Sequence, residues 1–176
     1  MSPISVSTLL NDVFIECCIS LFDGLGCDVE PAEPNESMLA GAPFGYIDAG
    51  TDDLELTVAL RLPLSVLVLT YPIVEGVTDD TLEDWISELS NQLVGKIKRA
   101  LLRYDCHLKI GLPTTLFGAD INEAMPAGAH QFASWFLVDR ELCECRLALE
   151  IFNPQLTLSP VSDAQDDANE GELEFF

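Results

Sequence analysis

The chain has 176 residues, 48% of them apolar, which suffices for one domain with a real core. Eight Lys and Arg stand against thirty Asp and Glu, giving a formal charge of −22 and a pI near 4.1. That balance argues against nucleic acid and anionic membrane surfaces as partners, because both are bound through basic patches. The N-terminus lacks a basic region followed by an apolar run. The longest apolar stretch, 54–71, is broken by Glu55, Arg61 and Pro63. Neither a signal peptide nor a membrane span is expected, and a cytoplasmic location is. The six cysteines, Cys17, Cys18, Cys27, Cys106, Cys143 and Cys145, form no CxxC, and His107 and His130 stand apart from any metal-type spacing. They are expected to be buried, reduced thiols, with no metal site.

In chain order, Ser5 to Leu25 carries one apolar stripe (Val6, Leu9, Leu10, Val13, Phe14, Cys17, Leu21, Phe22) and predicts a helix ended by Gly24 and Gly26. Residues 27–43, with Pro31, Pro34, Gly41 and Pro43, read as loop. Phe44 to Ala49 is a short strand, and Gly50-Thr51-Asp52-Asp53 a turn. Leu54 to Leu62 and Ser65 to Tyr71 read as strands, with a turn, bulge or edge position at Pro63.

A second helix is expected over Thr78 to Tyr104. Apolar residues recur at Leu82, Trp85, Ile86, Leu89, Leu93, Ile97, Ala100, Leu101 and Tyr104. Thr78 or Asp79 can cap its start, and acids crowd the first turns while Lys96, Lys98, Arg99 and Arg103 crowd the last, as the helix dipole favours. Cys106 to Ile110 and Thr114 to Phe117 read as strand pieces split by Gly111-Leu112-Pro113, and 119–129 as loop. Gln131 to Val138 and Cys143 to Phe152 read as strands joined by a turn at 139–141. Arg146, Ala148 and Glu150 alternate with apolar residues, which predicts one wet face.

From Val161 the chain holds Asp163, Asp166, Asp167, Glu170, Glu172 and Glu174 with no base, then Leu173-Glu174-Phe175-Phe176. It reads as a disordered acidic tail over 161–176 after one domain over 1–160, and the two aromatics suggest a docking peptide. Helix, strands, helix, strands with short connections give an α+β domain: an antiparallel-dominated sheet with two long helices packed on one face.

The exposed face of the second helix carries the functional signal. At about 100° per residue, Asp84, Ser87, Glu88, Asn91, Gly95 and Lys98 share one stripe, with Gln92 at its border. Glu88 and Asn91 are neighbours at i, i+3. Gly95 sits in mid-helix, where Gly costs about 1 kcal/mol against Ala, and close approach of another backbone is one reason to keep it.

Glu88-Leu89-Ser90-Asn91-Gln92-Leu93-Val94-Gly95-Lys96 resembles the signature of the CheC/CheX chemotaxis phosphatases, a helix with Glu-x-x-Asn followed four residues later by Gly. Leu108-Lys109-Ile110-Gly111-Leu112-Pro113-Thr114-Thr115, then Gly118, resembles the family's strand-Pro-Thr-strand-Gly segment. The resemblance spans roughly Ser5 to Asn153 and is closer to CheX, since only one helix carries the pair. Ser90 and Gln92 replace the Gly and Met common in the family. A second Glu-x-x-Asn, Glu150 to Asn153, lies at a strand end before Pro154, where i and i+3 point to opposite faces.

The resemblance implies a CheC-like fold and removal of the phosphoryl group from the aspartate of a CheY-type response regulator. Asn91 would orient the attacking water, and Glu88 would pair with the receiver's Lys. Asp84, Ser87, Gln92, Gly95 and Lys98 would contact the partner. The protein would need no cofactor of its own, with Mg²⁺ held by the receiver, and would form a homodimer through sheet or strand contacts, using the apolar stretches 54–71 and 132–136. The alternative is a non-catalytic CheX-like module that binds a receiver or a flagellar switch component.

Overall fold

The computed structural model describes residues 5–73 and 75–161. The proposed acidic tail lies outside the described residues except for Val161. Helix α1 runs Val6–Gly24 and α3 runs Asp79–Leu101, continued by a 3₁₀ turn over Leu102–Tyr104. The sheet is built from β1 (Val29–Pro31), β2 (Phe44–Gly50), β3 (Leu54–Arg61), β4 (Lys109–Ile110), β5 (Thr114–Leu116), β6 (His130–Val138) and β7 (Glu141–Ile151). Two short helices, α2 (Leu64–Thr70) and α4 (Ile121–Ala124), complete the elements. Every strand pairing is antiparallel, in the order β1-β6-β7-β3-β2-β4, with β5 also on β2.

Both long helices start and stop for local reasons. Ser5 caps α1 by accepting from the Thr8 N–H, and Gly26, at φ +80°, turns the chain away at its end. Thr78 and Thr81 cap α3 reciprocally: the Thr78 hydroxyl accepts from the Thr81 N–H and the Thr81 hydroxyl from the Thr78 N–H. Their apolar stripes (Leu10, Val13, Phe14, Leu21 and Phe22 on α1; Leu82, Ile86, Leu89, Leu93 and Ile97 on α3) meet one face of the sheet, formed by Ile47, Leu56, Val58, Leu60, Cys145, Leu147 and Leu149. This is the expected α+β architecture with two long helices on one face of an antiparallel sheet.

Four local expectations are corrected. Ser65 to Tyr71 is helical, not a strand. Pro63 begins α2 instead of breaking a strand, and Val66, Leu67 and Thr70 are buried while Leu64, Val68 and Leu69 are exposed. The burial period is three and four, and the Thr70 hydroxyl donates to the Val66 carbonyl at 2.8 Å. Packing thus overrides the β preference of a valine- and leucine-rich run. The stretch 27–43 is not all loop, since β1 pairs with β6 and a 3₁₀ turn spans Glu36–Leu39. Nor is 119–129 all loop: Asp120 accepts from the Asn122 N–H and caps α4.

The face of β7 expected to be wet is covered at Arg146 and Ala148, while Glu150 at its end is half-exposed. Leu39, Trp135 and Leu142 form one apolar cluster there, and Phe44, Ala59, Ile121, Met125 and Ala148 form another. Between them Glu144, fully buried, pairs with both Arg61 and Arg146, and Glu36 reaches in from the 3₁₀ turn to pair with the same two arginines. Arg146 also donates to the Asn122 side chain, and the Arg61 guanidinium lies 5.7 Å from the centre of the Trp135 ring. Alternating polar residues therefore mark a buried ion cluster, not solvent.

The apolar richness of 54–61 is explained by position: β3 is an inner strand between β2 and β7, and all its side chains but Glu55 are buried. In 132–136, Trp135 and Phe136 are likewise buried. The second Glu-x-x-Asn ends β7, where the Asn153 amide donates to the Asp53 carboxylate at 3.0 Å and ties the chain to the β2–β3 turn.

Candidate functional site on helix α3

Helix α3 lies over β2, and four contacts fix its height and rotation. Gly45 faces it from β2. A Cβ at that position would stand 2.6 Å from the Ser90 Oγ and 3.3 Å from the Ile86 carbonyl oxygen, so the absent side chain is what lets the helix sit close. Ser90 is buried, and its hydroxyl donates back to the Ile86 carbonyl at 2.8 Å. Ser87 and Thr115 share a hydroxyl–hydroxyl bond of 2.7 Å, joining the helix to β5, whose Thr115 pairs in register with Gly45. On the opposite flank the Trp85 Nε1 donates to the Thr70 hydroxyl at 2.9 Å, and its ring meets Tyr71 edge-on at 5.9 Å. Lys96 donates to the Ser20 hydroxyl on α1 at 3.1 Å.

The residues singled out in the sequence fall into two groups on this seated helix. Asp84, Glu88, Asn91 and Lys98 are exposed, on one stripe facing away from the sheet. Ser87 and Gln92 are half-buried along its borders, and Gly95 is half-buried within it. Ser87 is engaged with Thr115. Gln92 donates through Nε2 to the Glu88 Oε1 at 2.9 Å. Around Gly95 a Cβ would meet nothing within 4 Å, so the helix surface there is open. Two seat residues, Gly45 and the Ser87 partner Thr115, were not assigned a role from sequence. Only the Pro-Thr-Thr run on the strand after the helix hinted at the second.

The stripe is a surface, not a pocket. Cavities of the described residues open elsewhere, among them one beside Val6, Leu9, Tyr104 and Leu158, and one on the opposite face beside Tyr46, Met125 and Glu150. Among the described residues no cluster of His, Cys, Asp and Glu could hold a metal ion. Nor is an activated thiol at hand. Burial pushes the Cys17, Cys27, Cys106, Cys143 and Cys145 thiols above their ordinary range, so none of these five is poised as a thiolate. Among the described residues no helix is long and apolar enough to cross a membrane. What the stripe offers is one carboxylate and one carboxamide, a turn apart, on a rigid and open helix face.

No protein-family model matches the chain, and no curated protein matches it. Solved structures do. The chemotaxis protein CheX from Vibrio vulnificus is similar over 80% of this chain and 96% of its own, with a TM-score of 0.67 and 12% identity. A CheC-like superfamily protein from Shewanella sp. PV-4 is similar over 84% and 99%, with a TM-score of 0.66 and 15% identity. A chain of the CheX–CheY–BeF₃–Mg²⁺ complex from Borrelia burgdorferi is similar over 79% and 96%, with a TM-score of 0.59 and 11% identity. At these identities the likeness is one of fold. The chain has the fold of the CheX and CheC-like chemotaxis proteins.

Proposed function

We propose that the protein is a phosphatase of aspartyl phosphate that acts on a CheY-type receiver domain, with α3 as the helix that docks. The observation that carries this reading is the Glu88–Asn91 pair, exposed one turn apart on a helix held close to the sheet at Gly45. The solved complex of a CheX of the same fold with CheY, BeF₃ and Mg²⁺ supports the choice of partner.

The chemistry suits these two side chains. An aspartyl phosphate is already reactive, and the receiver brings the Mg²⁺ and the lysine that neutralise developing charge. What remains is to hold a water in line with the scissile P–O bond, and phosphoryl transfer is catalysed largely by such positioning. The Asn91 carboxamide orients that water without adding negative charge near the phosphoryl oxygens. The water oxygen attacks phosphorus, and the receiver's aspartate leaves as carboxylate. Glu88 pairs with the receiver's lysine, which offsets its own charge and sets the register of docking. Asp84, Gln92, Gly95 and Lys98 complete the contact surface, and no metal or nucleophile of the protein's own enters the reaction.

The reading includes a homodimer. The outer edge of β6 from His130 to Ser134 has no strand partner among the described residues, since β1 covers only Phe136 to Val138. An open edge is the natural place for a second copy to pair. Sedimentation of the purified protein reads the oligomeric state directly.

The test of the activity is loss of radiolabelled phosphate from a panel of phosphorylated CheY-type receivers. A phosphatase accelerates it. A binding module leaves it unchanged or slows it.

A further inference from the structure

Beyond Glu88 and Asn91, the helix stripe holds one further polar contact whose geometry bears on docking. Gln92 lies one turn after Glu88, and its amide nitrogen donates to the Glu88 Oε1 at 2.9 Å. Gln92 is half-buried, whereas Glu88 is exposed. An exposed glutamate samples several rotamers, and a partner must stop that motion when it binds. The contact with Gln92 restricts it beforehand.

The type of residue matters as much as its position. A neutral amide takes up part of one carboxylate oxygen and leaves the negative charge whole. A carboxylate has about four acceptor positions, so Oε2 stays available to an incoming cation. Lysine at 92 would satisfy Glu88 within the helix as an i, i+4 ion pair, and glutamate there would repel it. The next base on this side of the helix, Lys96, is directed to the Ser20 hydroxyl on α1 at 3.1 Å. Glu88 is thus restrained by a neighbour that does not neutralise it.

We infer that Gln92 is a positioning residue that restrains the Glu88 carboxylate, without pairing its charge, for a cationic group of the docked partner, and thereby sets partner affinity. The inference rests on the reading under Proposed function, and its effect belongs to binding rather than to the chemical step.

The experiment measures two quantities for wild type, Gln92→Met, Gln92→Lys and Glu88→Gln. One is affinity for a CheY-type receiver loaded with beryllium fluoride and Mg²⁺. The other is kcat and KM for loss of phosphate from the same receiver. Methionine keeps the length and packing of Gln92 and removes only the donor. It should weaken affinity about three- to tenfold, the cost of immobilising one free side chain at an interface, and raise KM with kcat retained. Lysine should weaken binding further at low salt, and the added loss should shrink as salt screens the internal ion pair. If Glu88→Gln loses affinity while Gln92→Met and Gln92→Lys bind as wild type does, the positioning role is overturned and the docking reading stands. If Glu88→Gln also binds as wild type does, both fall together.

Discussion

Gly45 on β2 and Ser90 on α3 face each other with no room for a methyl group between them: a Cβ on Gly45 would come within 2.6 Å of the Ser90 Oγ. Ser90 lies three positions after Ser87 and directly before Asn91, so the same contact that seats the helix also aims its outer face. Gly45→Ala is expected to destabilise the fold by about 1–3 kcal/mol, the usual cost of overpacking a filled interior. Ser90→Ala in the Gly45→Ala background should recover part of that loss, because it removes the atom that clashes. Urea midpoints of the two single variants and the double variant check this.

Ser87 and Thr115 bear on the same seat. Their hydroxyls lie 2.7 Å apart across the α3–β5 contact. Each of Ser87→Ala and Thr115→Val should cost about 1 kcal/mol, and the double variant should cost little more than either, since the second change removes a partner already lost. Strict additivity in the double-mutant cycle would contradict the contact.

The buried cluster beneath the 3₁₀ turn separates two glutamates that touch the same arginines. Glu144 is fully buried and Glu36 is 61% exposed in its side chain. Glu144→Ala leaves Arg61 and Arg146 buried without their inner counter-charge and should cost about 3–5 kcal/mol. Glu36→Ala should cost about 0–1 kcal/mol, because water replaces it. Chemical denaturation of both variants reads the difference. Equal effects would show that the cluster is not organised around Glu144.

The cysteines predict a pH dependence with a definite sign. Burial is the leading cause that raises the thiols of Cys143, Cys145, Cys17, Cys27 and Cys106 above the ordinary value of 9.0. In the unfolded chain these thiols lose their protons near that value, and in the fold they keep them to higher pH. The unfolded state therefore binds fewer protons above it, and stability falls as pH rises. The contribution is fully present below pH 9.0 and declines above it, at up to about 1.4 kcal/mol per pH unit for each thiol still protonated in the fold. Denaturation midpoints between pH 7 and 10.5 should be flat at first and then fall. Alkylation at pH 8 should be slow in the native protein and fast in urea.

Much of this structure is legible from local chemistry. The caps and apolar period of α3 place its start at Thr78 or Asp79 and set its exposed stripe, and α1 is as plain from Ser5 and Gly26. The hairpin β2–β3 follows from the 50–53 turn between two apolar runs. What local chemistry does not carry are features decided by distant contacts. Val66 to Leu69 prefers extended backbone on its own, and becomes helical because Thr70 anchors against Trp85, fifteen residues away. Arg146 alternates with apolar neighbours as an exposed residue would, and is buried because Glu36 and Glu144 meet it. The site shows the same division. Helical phase alone brings Glu88 and Asn91 to one exposed face, but the Gly45, Thr115 and Gln92 contacts that fix them depend on tertiary packing or on a side-chain rotamer.

The central claim is that the α3 stripe turns over aspartyl phosphate. The measurement is the rate of phosphate loss from a phosphorylated CheY-type receiver with wild type, Asn91→Ala and Glu88→Ala. The expected result is acceleration by wild type, a fall of about 10²-fold or more for Asn91→Ala through loss of the positioned water, and a loss for Glu88→Ala that appears mainly in KM. A wild type that leaves every receiver's phosphate loss unchanged, or an Asn91→Ala variant as fast as wild type, would contradict it.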